Sequence, residues 1–358
     1  MSITLQLDEL DETRLSIEPR QLCELLALLH VIAEPHHHRD RAREIAILKR
    51  AMPMSLQREL ERLAPLWARL RLRAMMPLSS MPSPANFAQE LKQLAELPID
   101  AFMQMAAEAV AGRRLNPEVR EDYSSELILD LSRKRSVTAA ELATEFHNPE
   151  RFRSRLVDVL EHCHQSFFRD VWGGLGEQLR AVSQQQAEQN TAQLFSELSY
   201  GSFYLEKSRE LVFDKLQDAT VDAAGREVIL VPSNWAAPHV TVKFDEMYAN
   251  VRLPIVITYP VGVAAQKSQG LFDVAERMQT LSNSSRMELI RHLVSESSTT
   301  SDLAIKLHMT EPQVSRHLRK LREVGLLESE RSGRQIKHRL RTNLVYQLGH
   351  NYLSALTR

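Results

Sequence analysis

The stretch MTEPQVSRHLRKLREVGLL, residues 309–327, combines an apolar stripe with several cationic side chains. Thr310 is placed to cap a helix, and Gln313, three residues later, completes a capping box. Gly325 stands where a left-handed residue commonly ends a helix. The apolar residues recur at spacings of four, three and three: Val314, Leu318, Leu321, Val324. The stretch therefore predicts an amphipathic helix with one buried side and cationic remaining faces.

A cationic helix face is by itself typical of many solvated helices, so the flanking sequence has to distinguish that reading from DNA binding. Two helices are predicted at 271–281 and 284–296, and a short third helix from Thr299 buries Leu303, Ala304 and Leu307. A break of three residues, 308–310, then separates the third helix from the cationic one. The order of short helix, tight turn and basic helix favours a helix-turn-helix.

After the cationic helix, LLESERSGRQIKHRL predicts a hairpin that turns at Ser332 and Gly333. Strand alternation divides its second half between two faces. The inward face carries Ile336, His338 and Leu340, and the outward face carries Gln335, Lys337 and Arg339. This pattern predicts a wing with a basic exposed ridge.

The segment SDLAIKLHMTEPQVSRHLRKLREVGLLESERSGRQIKHRL resembles the winged helix-turn-helix of ArsR-family bacterial regulators. The resemblance extends over about residues 271–340, where DLA, the break, VSRHLRKLRE, the GLL exit, the Ser-Gly hairpin and a closing helix occur in order. It implies a recognition helix in the major groove of double-stranded DNA and a wing on the flanking backbone or minor groove. The predicted DNA-binding residues are Thr310, Gln313, Ser315, Arg316, His317, Arg319 and Lys320 on the helix and Arg331, Arg334, Lys337 and Arg339 on the wing.

Two departures from the family pattern concern metals. Metal-sensing members carry a Cys-x-Cys pair in the third helix, where this chain has TTSDLAIKL. Others place paired His and acidic ligands on the closing helix, where this chain has the single His350. Neither type of metal sensing is therefore expected, and no metal or other cofactor is predicted.

The closing helix, residues 343–357, carries an apolar surface that is wide for a terminal helix. Its members are Leu344, Val345, Leu348, Tyr352, Leu353 and Leu356. This surface predicts a homodimer contact, and a two-fold dimer would read an inverted-repeat operator.

The rest of the chain predicts a mainly α protein whose large helical N-terminal domain, residues 1–210, acts in sensing or assembly. Ser83, Asn116 and Asn148 are predicted N-caps, and a long helical stretch from about residue 149 is expected to be interrupted near the glycines at 173–176. A small β-containing extension follows at 211–262, with strands in REVILVP, PHVTVKF and LPIVITYP. A linker at 263–270 leads to the winged helix, 271–358. Three segments of the N-terminal region resemble an uncharacterised domain found ahead of ArsR-type winged helices. They are RLSIEPRQLCELLALLHVIAEPHHH, FFRDVWGGLGEQL and ILVPSNWAAPHVTV…IVITYPVG.

Charge is distributed unevenly along the chain. The net charge is −1, yet residues 271–358 carry 14 Lys and Arg against 9 Asp and Glu. A locally basic end on a near-neutral chain favours a polyanion-binding module. No apolar run is long enough to cross a bilayer, the N-terminus is acidic and polar, and only Cys23 and Cys163 are present. These features predict a cytoplasmic protein with no membrane association.

Other candidate chemistry in the sequence is weak. The triplet His36–His38 is predicted to be a surface loop, because adjacent histidines point different ways, and His162–His164 fails as a metal site for the same reason. Cys23 is predicted to be buried filler, with redox sensing left open, and the glycines at 173–176 do not form a phosphate loop. A second basic helix at 138–160 lacks a wing.

The sequence therefore predicts a sequence-specific DNA-binding transcriptional regulator, a dimeric repressor and not an enzyme, whose N-terminal domain is open to a small-molecule or protein effector. One alternative is an enzyme in residues 1–250 with the winged helix as a targeting appendage. A deep pocket there, with convergent polar groups and displaced pKa values, would favour that alternative. Another is a winged helix that docks a protein, for which an acidic or apolar recognition face would be expected.

Overall fold

The computed structural model divides the chain into two compact units. It describes residues 2–35, 38, 41–79, 84–198, 202–214, 218–237, 239–261, 271–332, 335–346, 348–349 and 352. The first unit contains Met1–Ser199 and Tyr204–Val263, and the second contains Ala264–Arg358 with Tyr200–Phe203. The predicted linker, 263–270, falls at this division but lies outside the described residues.

Twelve α-helices precede the main β region in the part of the chain that the structure describes. They are α1 Gln21–Ala33, α2 Ala42–Ala51, α3 Met54–Leu63, α4 Pro65–Ala68, α5 Phe87–Glu96, α6 Ile99–Ala111, α7 Pro117–Glu121, α8 Glu126–Arg135, α9 Val137–Thr144, α10 Pro149–Cys163, α11 Arg169–Ala187 and α12 Thr191–Glu197. Short 3₁₀ turns lie at Glu12–Arg14, Arg73–Met75 and Glu145–His147. The largest apolar core gathers one face from most of these helices, with α1 and α6 buried nearly all round.

The predicted helix caps are right in one case and wrong in another. Asn148 caps α10 by accepting a hydrogen bond from the backbone N–H of Arg151. The cap of α5 is Asn86 and not Ser83, since the helix begins only at Phe87. Asn116 precedes α7, which ends after five residues, so the single helix predicted from Asn116 is in fact two, α7 and α8.

The expected interruption at the glycines near residue 173 is wrong. Gly173, Gly174 and Gly176 all lie inside α11, and the irregularity occurs earlier, as a π-helical turn at His164–Phe168. A phosphate loop lies between a strand and the N-terminus of a helix. These glycines lie inside a helix and therefore do not form one.

The described residues before position 261 form ten strands, which belong to the first unit except that Ser202 and Phe203 of the third strand are assigned to the second. They are β1 Ser2–Gln6, β2 Leu15–Ile17, β3 Ser202–Leu205, β4 Glu210–Asp214, β5 Ala219–Asp222, β6 Val228–Ser233, β7 Thr241–Lys243, β8 Met247–Tyr248, β9 Val251–Arg252 and β10 Ile255–Pro260. One sheet has the order β3-β4-β1-β5, another has β2-β6-β10-β7, and β8 pairs with β9. The predicted strands at 226–260 are present, but the β region is larger than the predicted extension. It includes β1 and β2 from the first 17 residues.

The sheet β2-β6-β10-β7 is the middle layer of this unit. β6 and β10 run parallel and are buried along their whole length, as expected for strands covered on both faces. Ile229 and Val256 belong to the helical core, whereas Leu230 and Ile257 belong to a second core shared with the other sheet. Helices therefore cover one face of the middle sheet, and the other sheet together with α12 covers the opposite face.

The second unit has the predicted order of elements. They are α13 Leu271–Leu281, α14 Ser284–Ser295, β11 Ser298–Thr299, α15 Thr300–Lys306, α16 Glu311–Glu323, β12 Leu327–Ser332, β13 Gln335–Leu340 and α17 Thr342–Tyr346. The three strands form one sheet of order β11-β13-β12. A separate apolar core includes Leu289, Leu303, Leu318 and Leu340. These elements make a winged helix-turn-helix.

None of the helices in the described part of the chain is both long enough and apolar enough to span a membrane.

Candidate functional site

The helix α16 presents cationic side chains on the side away from its core contacts. Val314, Leu318 and Leu321 are buried and form the inner stripe. A rotation of about 100° per residue places Arg316 and Arg319 on the opposite side, and both are exposed. The predicted helix, its stripe and its outward cations are thus present together.

The start of α16 is held by the predicted capping box. The backbone N–H and the hydroxyl of Thr310 both donate to Oε1 of Gln313, at 2.9 and 3.0 Å. The side-chain oxygen of Gln313 therefore accepts hydrogen bonds from Thr310, and the side-chain NH₂ group remains available to donate outward. Ser315, on the flank of the helix, is exposed.

Lys320 is placed differently from the other predicted DNA contacts. Its Nζ lies 2.7 Å from Oε1 of Glu276 on α13 and 3.6 Å from Oε2 of Glu323. These ion pairs direct the ammonium group along the helix flank and neutralise it. The sequence pattern grouped Lys320 with Arg316 because the partner Glu276 lies 44 residues earlier.

His317 is half-buried beside the inner stripe. Burial, together with the positive charges of Arg286 and Arg316, holds the pKa of this imidazole below its ordinary value.

The wing places two of its four predicted cations at the surface. Arg331 on β12 and Lys337 on β13 are exposed, and Arg339 is half-buried. Arg334 lies outside the described residues. Ile336, expected to face inward, is 55% exposed, because this end of the hairpin extends past the core that covers Leu340.

His338 fixes the wing to the rest of the second unit. Its Nδ1 lies 2.9 Å from Oγ of Ser329 on β12, and its Nε2 lies 3.2 Å from Oγ1 of Thr300 on α15. A second contact orients the turn between the helices, since Oγ of Ser301 donates to Oε1 of Glu311 at 2.6 Å. The wing and α16 are both tied to α15, so their cations keep a fixed arrangement.

The predicted dimer surface is only partly described. Leu344 is 1% exposed and packs in the core of its own unit, and Leu348 is 8% exposed. These two residues are therefore buried within one chain and are not open to a partner. Leu353, Leu356 and His350 lie outside the described residues.

The first unit contains a cavity of about 930 Å³. Its lining includes two histidines, His30 and His239, and two carboxyl groups, Glu34 and Glu61. The cationic lining is larger and comprises Arg69, Arg71, Arg113, Arg135 and Lys243. Burial lowers the pKa of Arg71 to about 10 and that of Lys243 to about 8. The cavity therefore suits a ligand with acidic groups.

His38 overturns the prediction that the histidine triplet is a surface loop. Its side chain is completely buried, and it meets His30 from α1 and His239 from the segment after β6. One nitrogen of each of the three rings lies within 4.8 Å of the others. Sequence spacing could not reveal this cluster, because its members are brought together by the packing of α1 against the middle sheet. His36 and His37 lie outside the described residues.

Cys23, the triplet His162–His164 and the second basic helix all have structural roles and form no site. Cys23 is buried with its Sγ 3.3 Å from Oγ1 of Thr258, and burial raises the pKa of its thiol to about 12, which disfavours a redox-reactive thiolate. His162 is exposed while Cys163 is buried and His164 stacks on Phe87, so that triplet does not converge. The second basic helix is α10, whose apolar side, including Leu156, packs in the helical core.

Comparison with known proteins agrees with the division into two units. A profile described as a helix-turn-helix domain matches residues 281–330. The HTH-type transcriptional regulator NmtR of Mycobacterium tuberculosis is 36% identical over 81 residues, which are 23% of this chain and 68% of that protein. The HTH-type transcriptional repressor SmtB of the same organism is 28% identical over 134 residues, 36% of this chain and 94% of that protein.

The N-terminal match covers most of the chain. The profile described as a family of unknown function (DUF5937) matches residues 1–265, which include every element from β1 to β10. The chain therefore belongs to this family, and its C-terminal unit is a helix-turn-helix domain of the ArsR/SmtB type.

Proposed function

We propose that this protein is a dimeric transcriptional repressor that reads an inverted-repeat operator and responds to a ligand of its N-terminal unit. The observation that carries the proposal is the position of Arg316 and Arg319 on the exposed side of α16, opposite its buried stripe. A basic helix held in this way suits the major groove, where arginine can donate to guanine O6 and N7.

The wing supplies the second element of the proposed interface. Arg331 and Lys337 are exposed on its two strands, and His338 anchors the hairpin to α15. Exposed cations on such a ridge suit phosphate contacts, which position a protein on DNA without reading its sequence. Lys320 is left out of the proposed contacts because Glu276 and Glu323 neutralise it.

A two-fold dimer would present two copies of α16 to the same face of the duplex. Recognition helices about 34–36 Å apart read half-sites one helical turn apart, which produces an inverted repeat. The similarity to NmtR and SmtB supports this assembly.

The cavity of the first unit is the proposed effector site. Its five cationic side chains favour an anionic ligand over a neutral one. Such a ligand would change repression only by binding the DNA-competent and the DNA-incompetent states with different affinities. This proposal places sensing in residues 1–265 and operator reading in residues 271–358.

The proposal is tested by selecting DNA from a random duplex library with the full-length protein and sequencing the bound fraction. We expect enrichment of an inverted repeat whose half-sites are about 10 base pairs apart. Titrations of the selected duplex at increasing salt should show affinity falling steeply as bound counterions are released. A bound fraction with the same sequence composition as the input library would contradict the assignment.

An enzyme in the first unit is the second candidate, because the same cavity combines convergent polar groups with displaced pKa values. The two candidates differ in the fate of the ligand. An effector is recovered chemically unchanged from the protein and alters DNA affinity, whereas a substrate is converted. Mass spectrometry of a ligand incubated with the protein distinguishes these results.

A further inference from the structure

The three histidines His30, His38 and His239 form a cluster with the features of a metal site. Their ring centroids are 5.1, 5.7 and 5.4 Å apart, and the rings meet edge to face at angles between 76° and 89°. One nitrogen from each ring lies within 4.8 Å of the other two. Three imidazoles that converge from separate segments are a ligand set that zinc-class ions accept.

The tautomer of His30 is fixed by its backbone partner. Its Nδ1 lies 2.9 Å from the carbonyl oxygen of Trp67, which can only accept a hydrogen bond, so Nδ1 carries the proton. The lone pair is then on Nε2, which is buried and has no hydrogen-bond partner among the described residues. A metal-binding histidine is typically oriented by a carbonyl in this way.

His239 belongs to a segment that is anchored to the helix carrying His30. Oε1 of Glu24, on α1, accepts hydrogen bonds from the backbone N–H groups of Asn234 and Trp235, at 3.0 and 3.3 Å. The backbone N–H of His239 donates to the carbonyl of Ala236 at 2.8 Å, which closes the turn. His239 is half-buried, so its ring retains room to rotate. Tetrahedral coordination at about 2.1 Å needs nitrogens about 3.4 Å apart, so nitrogens 4.8 Å apart have to converge by about 1.4 Å.

We propose that His30, His38 and His239 bind one divalent transition-metal ion of the zinc class in the wall of the cationic cavity. Since His30 and His239 both line that cavity, the remaining coordination position is open to water or to an anionic group of a cavity ligand. The nearby guanidinium of Arg71 favours an anion there, because it adds to the positive charge of the ion. The site does not depend on the proposed DNA-binding function.

The proposal is tested on the full-length protein, freed of any affinity tag and stripped with a chelator. Zinc is added back, and the bound metal is measured by elemental mass spectrometry and by competition with a zinc-binding dye. We expect one zinc ion per chain. The variants His30→Gln and His239→Gln should weaken zinc binding by at least about 100-fold, because loss of an orienting group alone costs 10–100-fold.

His162→Gln is the matched control, since His162 is an exposed histidine on α10 of the same unit. It should bind zinc as the wild type does. Cobalt supplies an independent readout, because tetrahedral Co²⁺ absorbs strongly in the visible range and this absorption should be absent in His239→Gln. Because His30 is buried in the core, the folded state of each variant is checked by circular dichroism. If His30→Gln does not fold, zinc binding by His239→Gln, at a half-buried position, tests the proposal. Wild-type protein that takes up no zinc, or a His239→Gln variant that binds zinc with wild-type affinity, overturns the proposal.

Discussion

Glu24 is a carboxyl group that packs inside the protein between α1 and the segment after β6. Burial raises its pKa from 4.5 to about 7, although the backbone N–H groups of Asn234 and Trp235 favour the charged form. Between pH 4.5 and about pH 7, Glu24 therefore keeps its proton in the folded protein and releases it in the unfolded chain. The resulting stabilisation is complete below pH 4.5 and is lost as the pH rises through about 7.

The variant Glu24→Gln keeps an oxygen that can accept the same hydrogen bonds but removes the titration. We expect the free energy of unfolding of this variant to rise relative to wild type by roughly 3 kcal/mol between pH 4.5 and pH 8. Urea unfolding followed by tryptophan fluorescence measures this difference, and Glu126→Gln, at an exposed position on α8, is the control. If the difference in free energy of unfolding between Glu24→Gln and wild type did not change with pH, the raised pKa of Glu24 would be contradicted.

Gly325 follows the end of α16 in a conformation that other residues adopt with strain. Its φ is +75°, and a Cβ at this position would lie 3.5 Å from the nearest heavy atom, in Arg277, which is ordinary contact. The cost of Gly325→Ala is therefore conformational, about 1–2 kcal/mol. Calorimetry should show a lower melting temperature for the C-terminal unit. Gly349→Ala, at an exposed glycine without a positive φ, should not change it.

At the scale of elements, the recognition helix and the wing are expected to contribute differently to DNA binding. Arg316→Ala should reduce discrimination between the selected operator and unrelated DNA by about 1–3 kcal/mol, since Arg316 is the proposed contact to base edges. Lys337→Ala should weaken binding to all DNA similarly and lower the salt slope by about 1. Fluorescence anisotropy with both duplexes over a salt series separates the two effects.

Lys320→Ala is the matched control for this pair of variants. It removes a cation from the same helix, but one that is already paired with Glu276 on α13. We expect its affinity for both duplexes to remain close to wild type. A loss as large as that of Arg316→Ala would show that the ion pair opens when DNA binds.

The sequence predicted the elements whose pattern is local. The period of α16, the alternation at His338 and Leu340 and the strands β6 and β10 are all visible within a few residues. The strands β1 and β2 are short and mix polar with apolar residues. Their partners, such as Phe213 for Ile3 and Leu230 for Ile17, lie about 200 residues away. Pairing at that separation is a tertiary effect that no local period contains.

The candidate sites could likewise be predicted only where their geometry depends on a single element. Arg316 could be assigned to the exposed side because the buried stripe of its own helix fixes its direction. The pairing of Lys320 with Glu276 and the meeting of His38 with His239 depend on how separate segments pack. The triplet containing His38 looked like a solvated loop, because the other two members of the cluster lie 8 and 201 residues from it along the chain.

For the whole molecule, the central feature is that each unit has its own apolar core. Two cores of the first unit share the middle sheet, while the second unit buries residues such as Leu289 and Leu303 among its own helices and wing. The three tryptophans, Trp67, Trp172 and Trp235, all belong to the first unit. Tryptophan fluorescence therefore reports on the first unit, whereas calorimetry detects both.

Separate cores predict that the two units unfold in separate transitions. Leu289→Ala opens a space in the core of the second unit and should cost about 2–5 kcal/mol. The calorimetric transition of that unit should fall by roughly 4–8 °C for each kcal/mol, while the fluorescence midpoint stays unchanged. Leu156→Ala, at a fully buried position on α10, should lower the fluorescence midpoint and leave the calorimetric transition of the second unit unchanged. If Leu289→Ala lowered the fluorescence midpoint as much as the calorimetric one, the two units would unfold together, and a ligand of the first unit could act on DNA binding through global stability.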